Sequence, residues 1–341
     1  MSSLRLQQLD PASASFDTDL RRWHTAYLAS LTYGRDHAAP YTLREIGDLV
    51  ARPTSYGWTG AWLATRGDAV VGTGQLQLSL ADNLRMATVD VQVVPEARRS
   101  GVGTAIAEVL EGEARGRGRS VAIAEVEFRM EDPEDGTGTP GVTFAADRGY
   151  ATALGDIERR AALPLPDDLL DRLAAEAAPH HEGYVLESFG NPVPEARVAG
   201  VAALAASLMV EAPVGDLLLE PEDASVAVWR EREAAMLRQG RRLWHTVALA
   251  GDEVVAYTSI AVSSDDPTAC FQWGTLVRPD HRGHRLGLAV KVANHRALQA
   301  HGAPTAQVVT WNASVNGPMI AINEQFGYYP SGRLAEMQKQ L

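Results

Sequence analysis

Val93-Val94-Pro95-Glu96-Ala97-Arg98-Arg99-Ser100-Gly101-Val102-Gly103-Thr104 returns, altered, as Val277-Arg278-Pro279-Asp280-His281-Arg282-Gly283-His284-Arg285-Leu286-Gly287-Leu288. Each copy has a β-like run, a Val-x-Pro exit, an arginine-bearing turn and a long amphipathic helix that opens on glycine. Such a turn gathers free backbone N–H groups and guanidinium charge at one point, which suits a pyrophosphate. Two copies in one chain imply duplicated domains, each built around an anion cradle.

A second landmark supports the duplication. Arg148-Gly149-Tyr150 ends a short helix in the first half and Phe326-Gly327-Tyr328 ends one in the second, with glycine free to take φ > 0 as a helix stop. Gly103 and Gly287 lie 184 residues apart and Gly149 and Gly327 lie 178 apart, so nearly one offset serves both pairs. Apolar periodicity and turn residues fill in the first half. Strands are expected over 4–9, 61–65, 69–80, 87–94, 121–128 and 159–165. Helices are expected over 17–28, 43–51 (with Thr42 as N-cap), 101–114 and 142–147. In the helix over 101–114, Val102, Ile106, Val109 and Leu110 form the apolar face. The second half repeats the order: strands over 184–189, 243–249, 254–262, 269–277 and 306–311, and helices over 197–211, 225–238, 287–300 and 315–325.

With 341 residues and 45% hydrophobic composition, the chain has enough apolar material for two domains with separate cores. No apolar run approaches the roughly 18 residues of a membrane helix. The start MSSLRLQQLDPAS lacks a basic stretch followed by an apolar one, so no secretory leader is expected. Cys270 is the only cysteine, which rules out an internal disulfide and suits a reducing cytoplasm. A formal net charge of −12 disfavours nucleic acid as the main partner and gives cationic substrates a favourable field.

The first turn, Arg98-Arg99-Ser100-Gly101-Val102-Gly103, fits R-x-x-G-x-G. Its small residues let a diphosphate approach the backbone, and the helix start adds about half a positive charge. A dinucleotide fingerprint would need glycine or alanine where Ile106 stands, and no Gly-Lys-Ser/Thr exists for an NTPase loop. His180-His181 and the pair His281 and His284 lack carboxylate or thiolate companions at ligand spacing, so no metal is expected.

On Val93–Thr104 and Arg148-Gly149-Tyr150, and again on Val277–Leu288, Asn312–Asn316 and Asn323–Tyr328, both halves resemble the GNAT superfamily of N-acetyltransferases. The resemblance covers almost the whole chain. It implies an α/β fold with a mixed sheet in each of two tandem domains, and acetyl-CoA as the cofactor. In that family the R-x-x-G-x-G/A loop takes the pyrophosphate and the preceding strand bonds the pantetheine arm. The resemblance therefore implies cofactor-binding roles for Val91, Val93, Arg98, Arg99, Ser100, Gly101, Val102, Gly103 and Thr104. In the second half it implies them for Leu276, Val277, Arg282, Gly283, His284, Arg285, Leu286, Gly287 and Leu288. Asn312 and Asn316 join them, because asparagine at this strand end often meets the cofactor arm; the other reading is a turn and a helix cap. The second copy departs at Arg285, which stands where the first has Gly101; a helix start at ordinary φ/ψ accepts arginine.

The implied chemistry is amine attack on a thioester. An amine of pKa about 10.4 is mostly protonated near pH 7, and freeing it costs roughly 4–5 kcal/mol, so a base helps. Many relatives use a tyrosine on the last helix as acid; Ala145 and Asn323 occupy that register here. Candidate catalytic residues are Glu125 and Glu127 on the strand beside the first cleft, and His281 and Asn312 beside the second.

The expected organisation is a first domain over 1–165, a linker helix over 166–180 and a second domain over 181–341. The expected function is acetyl-CoA-dependent N-acetylation of a small amine, without nucleic acid or membrane. A non-catalytic CoA-binding or regulatory protein is the alternative. Acceptor choice is expected from the segments Tyr33–Tyr41 and Ala212–Pro221.

Overall fold

The computed structural model describes residues 3–35, 38–266, 268–302 and 305–341, so Asp36 and His37 of the expected acceptor segment lie outside the described residues. In chain order the first half contains β1 (Leu4–Gln8), α1 (Phe16–Leu31), α2 (Leu43–Ala51), β2 (Gly57–Arg66), β3 (Ala69–Ser79), β4 (Met86–Val93), α3 (Val102–Gly116), β5 (Val121–Phe128), α4 (Pro140–Asp147) and β6 (Ala151–Ala162). Then come α5 (Asp167–Ala177), β7 (Tyr184–Gly190), α6 (Glu195–Glu211), α7 (Val226–Arg238), β8 (Arg241–Ala250) and β9 (Glu253–Ser263). The chain closes with β10 (Cys270–Val277), α8 (Leu286–Ala300), β11 (Gln307–Ala313), α9 (Gly317–Gln325) and β12 (Tyr329–Gln340).

Local chemistry sets many of these limits. Thr42 Oγ1 accepts from the Glu45 amide at 3.2 Å and the Glu45 carboxylate accepts from the Thr42 amide at 2.7 Å. This reciprocal cap starts α2. Gly149 and Gly327 stop α4 and α9 at φ 88° and 79°. Val109 does not join the buried face of α3; it is exposed, and Ala107 and Glu111 are buried in its place.

The chain forms two compact units: Met1–Gly155 with Gly215–Leu218 and Gly332–Leu341, and Asp156–Val214 with Leu219–Ser331. In the first, the strands run β1-β2-β3-β4-β5-β12, antiparallel except for β4 and β5. In the second they run β7-β8-β9-β10-β11-β6, antiparallel except for β10 and β11. Neither the boundary expected at 165 nor the one at 181 separates these units. Residues 156–162 pair with β11 of the second unit, and Arg333–Gln340 pair with β5 of the first. The closing strands are exchanged because each presents apolar residues to the unit it joins: Ala335 and Met337 enter the first core, and Ala161 enters the second. The segment expected as a linker is also part of a core: Leu170, Leu173 and Ala177 of α5 pack with Leu288, Val292 and Leu298 of α8.

Two faces of the first sheet matter for the site. Ala87, Val89, Val91 and Val93 of β4 pack with Val102, Ile106 and Leu110 of α3. The strand period of two therefore sends Thr88, Asp90 and Gln92 to the opposite face, where α1 and α2 lie.

Candidate functional site: two anion turns and a splayed sheet

Each turn carries two left-handed residues two positions apart. In the first they are Arg99 (φ 60°) and Gly101 (φ 82°); in the second, Gly283 (φ 87°) and Arg285 (φ 51°). Arg285 thus sits in the left-handed region, contrary to the expectation of ordinary φ/ψ at that position. The glycine has moved to the other left-handed place, and in each copy one arginine carries the strain of about 1–2 kcal/mol. Left-handed residues in such a turn aim successive N–H groups into one hollow. Among the described residues, the amides of Arg99–Thr104 and of Gly283–Leu288 have no acceptor, and the first later bonds are Ala105 N to Gly101 O and Ala289 N to Arg285 O. A Cβ built on Gly101 meets no atom within 4 Å, so the hollow above it is open. These residues fit a diphosphate.

The side chains around the two turns differ. Arg66 donates to Ser100 O at 2.8 Å and Ser100 Oγ at 3.2 Å, and Ser100 Oγ donates to Ala97 O at 2.6 Å. Arg98 donates to Val93 O at 3.2 Å and Ser30 O at 3.4 Å and lies 5.0 Å from the Tyr33 ring centroid. Among the described residues Arg66, Arg98 and Arg99 form no ion pair. In the second turn Arg282 pairs with Glu211 at 2.8 Å, Arg285 pairs with Glu176, and His284 Nδ1 donates to His180 O at 3.1 Å. Carboxylates beside a cradle weaken its attraction for phosphate. Leu286, Gly287 and Leu288 are buried, whereas Thr104 is exposed.

The sheets part beside both turns. β4 and β5 pair at Met86/Val121, Ala87/Ala122 and Thr88/Ile123 and then run on without pairing each other. β10 and β11 pair at Cys270/Val308 and Phe271/Val309, and β10 is irregular against β9 between Gln272 and Thr275. The notch edge of β4 that includes Val91 and Val93 is left without a β5 partner, and Leu276 and Val277 lie on the matching stretch of β10. Unmatched strand edges of this kind accept an extended ligand.

On the α1 face of the first notch, Asp90, Gln92 and Glu127 meet Arg35, Tyr27 and Tyr41. Gln92 donates to Asp90 at 2.8 Å, Arg35 pairs with Glu127, the Tyr41 amide donates to Tyr27 Oη at 3.2 Å, and Gln77 donates to Tyr41 Oη at 3.4 Å. Burial pushes the Asp90 carboxyl up to about 6, and nearby Glu127 adds to the shift while the Gln92 hydrogen bond opposes it. Burial, with help from Asp90, also raises the Tyr27 phenol. Asp90 was not among the expected catalytic residues. Its signal is legible: an aspartate inside the alternating strand Met86–Val93, where that residue is depleted.

Residues 20–131 match the model of the acetyltransferase (GNAT) family. Among solved structures, a tandem GNAT protein from the clavulanic acid biosynthesis pathway is 26% identical with a TM-score of 0.79, over 99% of this chain and 98% of that one. The chain thus carries a GNAT-family match over residues 20–131 and is similar over its length to a tandem GNAT protein. A GCN5-related N-acetyltransferase from Sphaerobacter thermophilus shares the fold at 14% identity and a TM-score of 0.65, over 99% of this chain and 95% of that one. Among curated proteins, none matches.

Within this chain the expected catalytic residues fare unequally. Glu127 lies in the first notch, paired with Arg35, whereas Glu125 is exposed. His281 has both ring nitrogens engaged: Arg278 donates to Nε2 at 2.7 Å, which leaves the proton on Nδ1, 2.9 Å from Tyr184 Oη. No nitrogen is left to serve as a base. Asn316 caps α9 by accepting from the Met319 amide at 3.4 Å, so the helix-cap reading describes it. Asn312 accepts from Asn323 at 2.6 Å, and Asn323 accepts from Lys291 at 2.5 Å. Lys291 was missed, though a lysine among Leu288, Val292 and Leu298 on an apolar helix face is a visible anomaly. Among the described residues no helix is long and apolar enough to cross a membrane.

Proposed function

We propose that the chain is a cytoplasmic N-acetyltransferase that moves an acetyl group from acetyl-CoA to a small amine, with the chemistry in the first unit. One observation carries the choice of unit: among the described residues, the first turn keeps six unpartnered amides and three arginines without carboxylate partners, beside a notch whose far face holds Asp90. Val91, Val93 and residues 98–104 would hold CoA, which when bound supplies an activated thioester. The arginines would neutralise the diphosphate and the amides would orient it. Asp90 is mostly ionised at neutral pH and takes a proton from the acceptor ammonium, so that the free amine attacks the thioester and CoA departs as its thiolate, which is then protonated. Glu127 and Arg35 hold the charge pattern of the acceptor face, so a cationic acceptor meets two carboxylates and one guanidinium there.

Titration with acetyl-CoA by calorimetry tests the cofactor, and a panel of amines followed by thiol release tests the chemistry. Saturable micromolar binding with turnover on at least one amine is expected; absence of binding rejects the reading. The alternative of a CoA-binding protein without catalysis draws on Ala145 and Asn323, which stand in the register of the usual tyrosine acid. Binding without turnover over the whole panel would favour it.

A further inference from the structure

The core beneath α8 is polar where its counterpart is apolar. Counted from Gly103 and Gly287, Lys291 corresponds to Ala107 and Asn294 to Leu110. Lys291 and Asn294 are 1% and 0% exposed. Burying such groups costs stability unless they are paired, and a chain that retains them at an apolar position gains something else. Among the described residues Lys291 Nζ has one hydrogen-bond partner, Asn323 Oδ1 at 2.5 Å, and it lies 5.6 and 5.1 Å from the ring centroids of Phe326 and Tyr328.

That single bond fixes the direction of a chain of amides. An ammonium only donates, so Asn323 must turn its oxygen to Lys291 and its Nδ2 to Asn312. Asn312 then accepts with Oδ1 at 2.6 Å, which leaves its own Nδ2 as the outward group. Asn312 is half-buried, and it lies three residues past Val309, the last β11 residue that pairs with β10. Among the described residues its Nδ2 has no acceptor. The network therefore ends as a donor at the second notch.

We propose that Lys291 is a positioning residue: by donating to Asn323 it locks the Asn323–Asn312 pair so that Asn312 Nδ2 is offered to the carbonyl oxygen of an acyl thioester in the β10–β11 notch. The second unit is thereby a carbonyl-binding site whose ligand is held by its acyl-pantetheine part, since Glu176 and Glu211 occupy the arginines of its anion turn. Burial pushes Lys291 down to about 7. The titratable groups around it are His295 on the same helix, held down to about 3, Tyr328 after α9, raised, and beyond it Cys270 on β10, pushed up to about 12. All three are uncharged near neutral pH. On α5, Asp171 and Glu176 pair outward with Arg296 and Arg285. As pH rises through about 7 the neutral amine gains a lone pair, accepts as well as donates, and releases the lock.

The inference rests on the reading of the chain as an acyl-thioester protein, but its test does not use first-unit turnover. S-acetylpantetheine labelled with carbon-13 at the carbonyl is added to the full-length protein and the bound carbonyl stretch is read by isotope-edited infrared spectroscopy; because the probe lacks a diphosphate and can also enter the first notch, the second-unit signal is the part lost in Asn312→Ala. A shift to lower frequency is expected at pH 6, diminished at pH 9. Lys291→Met, close in volume, should remove the second-unit part of the shift and its pH dependence and weaken second-unit binding about tenfold, with melting unchanged or raised. Asn312→Ala, at a half-exposed position, should do the same and serves if Lys291→Met does not fold. A carbonyl spectrum that is unchanged in Asn312→Ala or in folded Lys291→Met overturns the proposal. Lack of turnover in the wild type with a shift still present rejects the first-unit assignment alone.

Discussion

Replacing Asp90 with asparagine should slow the enzyme and stabilise the protein at once. The change keeps size and keeps an oxygen that accepts from Gln92 at 2.8 Å. It removes a base, which costs about 10²- to 10⁴-fold in rate. It also removes a buried charge. Between the ordinary aspartate value of 3.8 and about 6, native Asp90 holds a proton that the unfolded chain has released. Stability therefore falls as pH rises through that window and stays lower above it. A gap of roughly two pKa units corresponds to about 2–3 kcal/mol, which Asp90→Asn should recover at pH 7 but not at pH 3.5. In the wild type, turnover should climb about tenfold between pH 5 and pH 7 and then level, following the ionised fraction around pH 6. Steady-state thiol release across pH, with urea unfolding at pH 3.5 and pH 7, reads both effects. Wild-type turnover in Asp90→Asn, or a variant less stable than wild type at pH 7, would refute the assignment of Asp90 as a buried base.

Three other outcomes follow from particular residues. Gly101→Val forces a β-branched side chain to φ 82° and into the open hollow, so acetyl-CoA should bind at least tenfold more weakly by calorimetry, with a stability loss of about 1–2 kcal/mol. Glu176→Gln with Glu211→Gln frees Arg285 and Arg282, so in a Gly101→Val background acetyl-CoA should bind at least tenfold more tightly by calorimetry; unchanged affinity refutes the idea that the two carboxylates close the second turn. Deleting 332–341 strips β12 from β5 and takes Lys339 from buried Glu111, which it meets at 2.9 Å; circular dichroism and size-exclusion chromatography should show loss of the cooperative first unit and aggregation at the bared edge.

The order of elements was legible because it is written in local patterns. Thr42 and Glu45 announce the start of α2, Gly149 and Gly327 the stops, and period-two alternation the strand Met86–Val93. The duplicated turn placed both anion cradles for the same reason: a run of unpartnered amides needs only a strand exit, left-handed residues and a helix start. The sequence did not disclose that Arg285 is left-handed, since glycine marks only one of the two left-handed positions in each turn and the backbone alone shows the other.

What the sequence alone determined, then, is the pair of GNAT-like repeats and where each would grip an anion. Tertiary structure decided the rest. It sent the closing strands to opposite units, because strand pairing depends on which edge is open and not on nearness in the chain. It set Glu176 and Glu211 beside the second turn and, among the described residues, paired no carboxylate with the arginines of the first. It also brought Asp90 to the notch and Lys291 beneath Asn323. A carboxylate's affinity for its proton, or a lysine's for a single amide, is set by burial and by neighbours far away in sequence, which local patterns do not record.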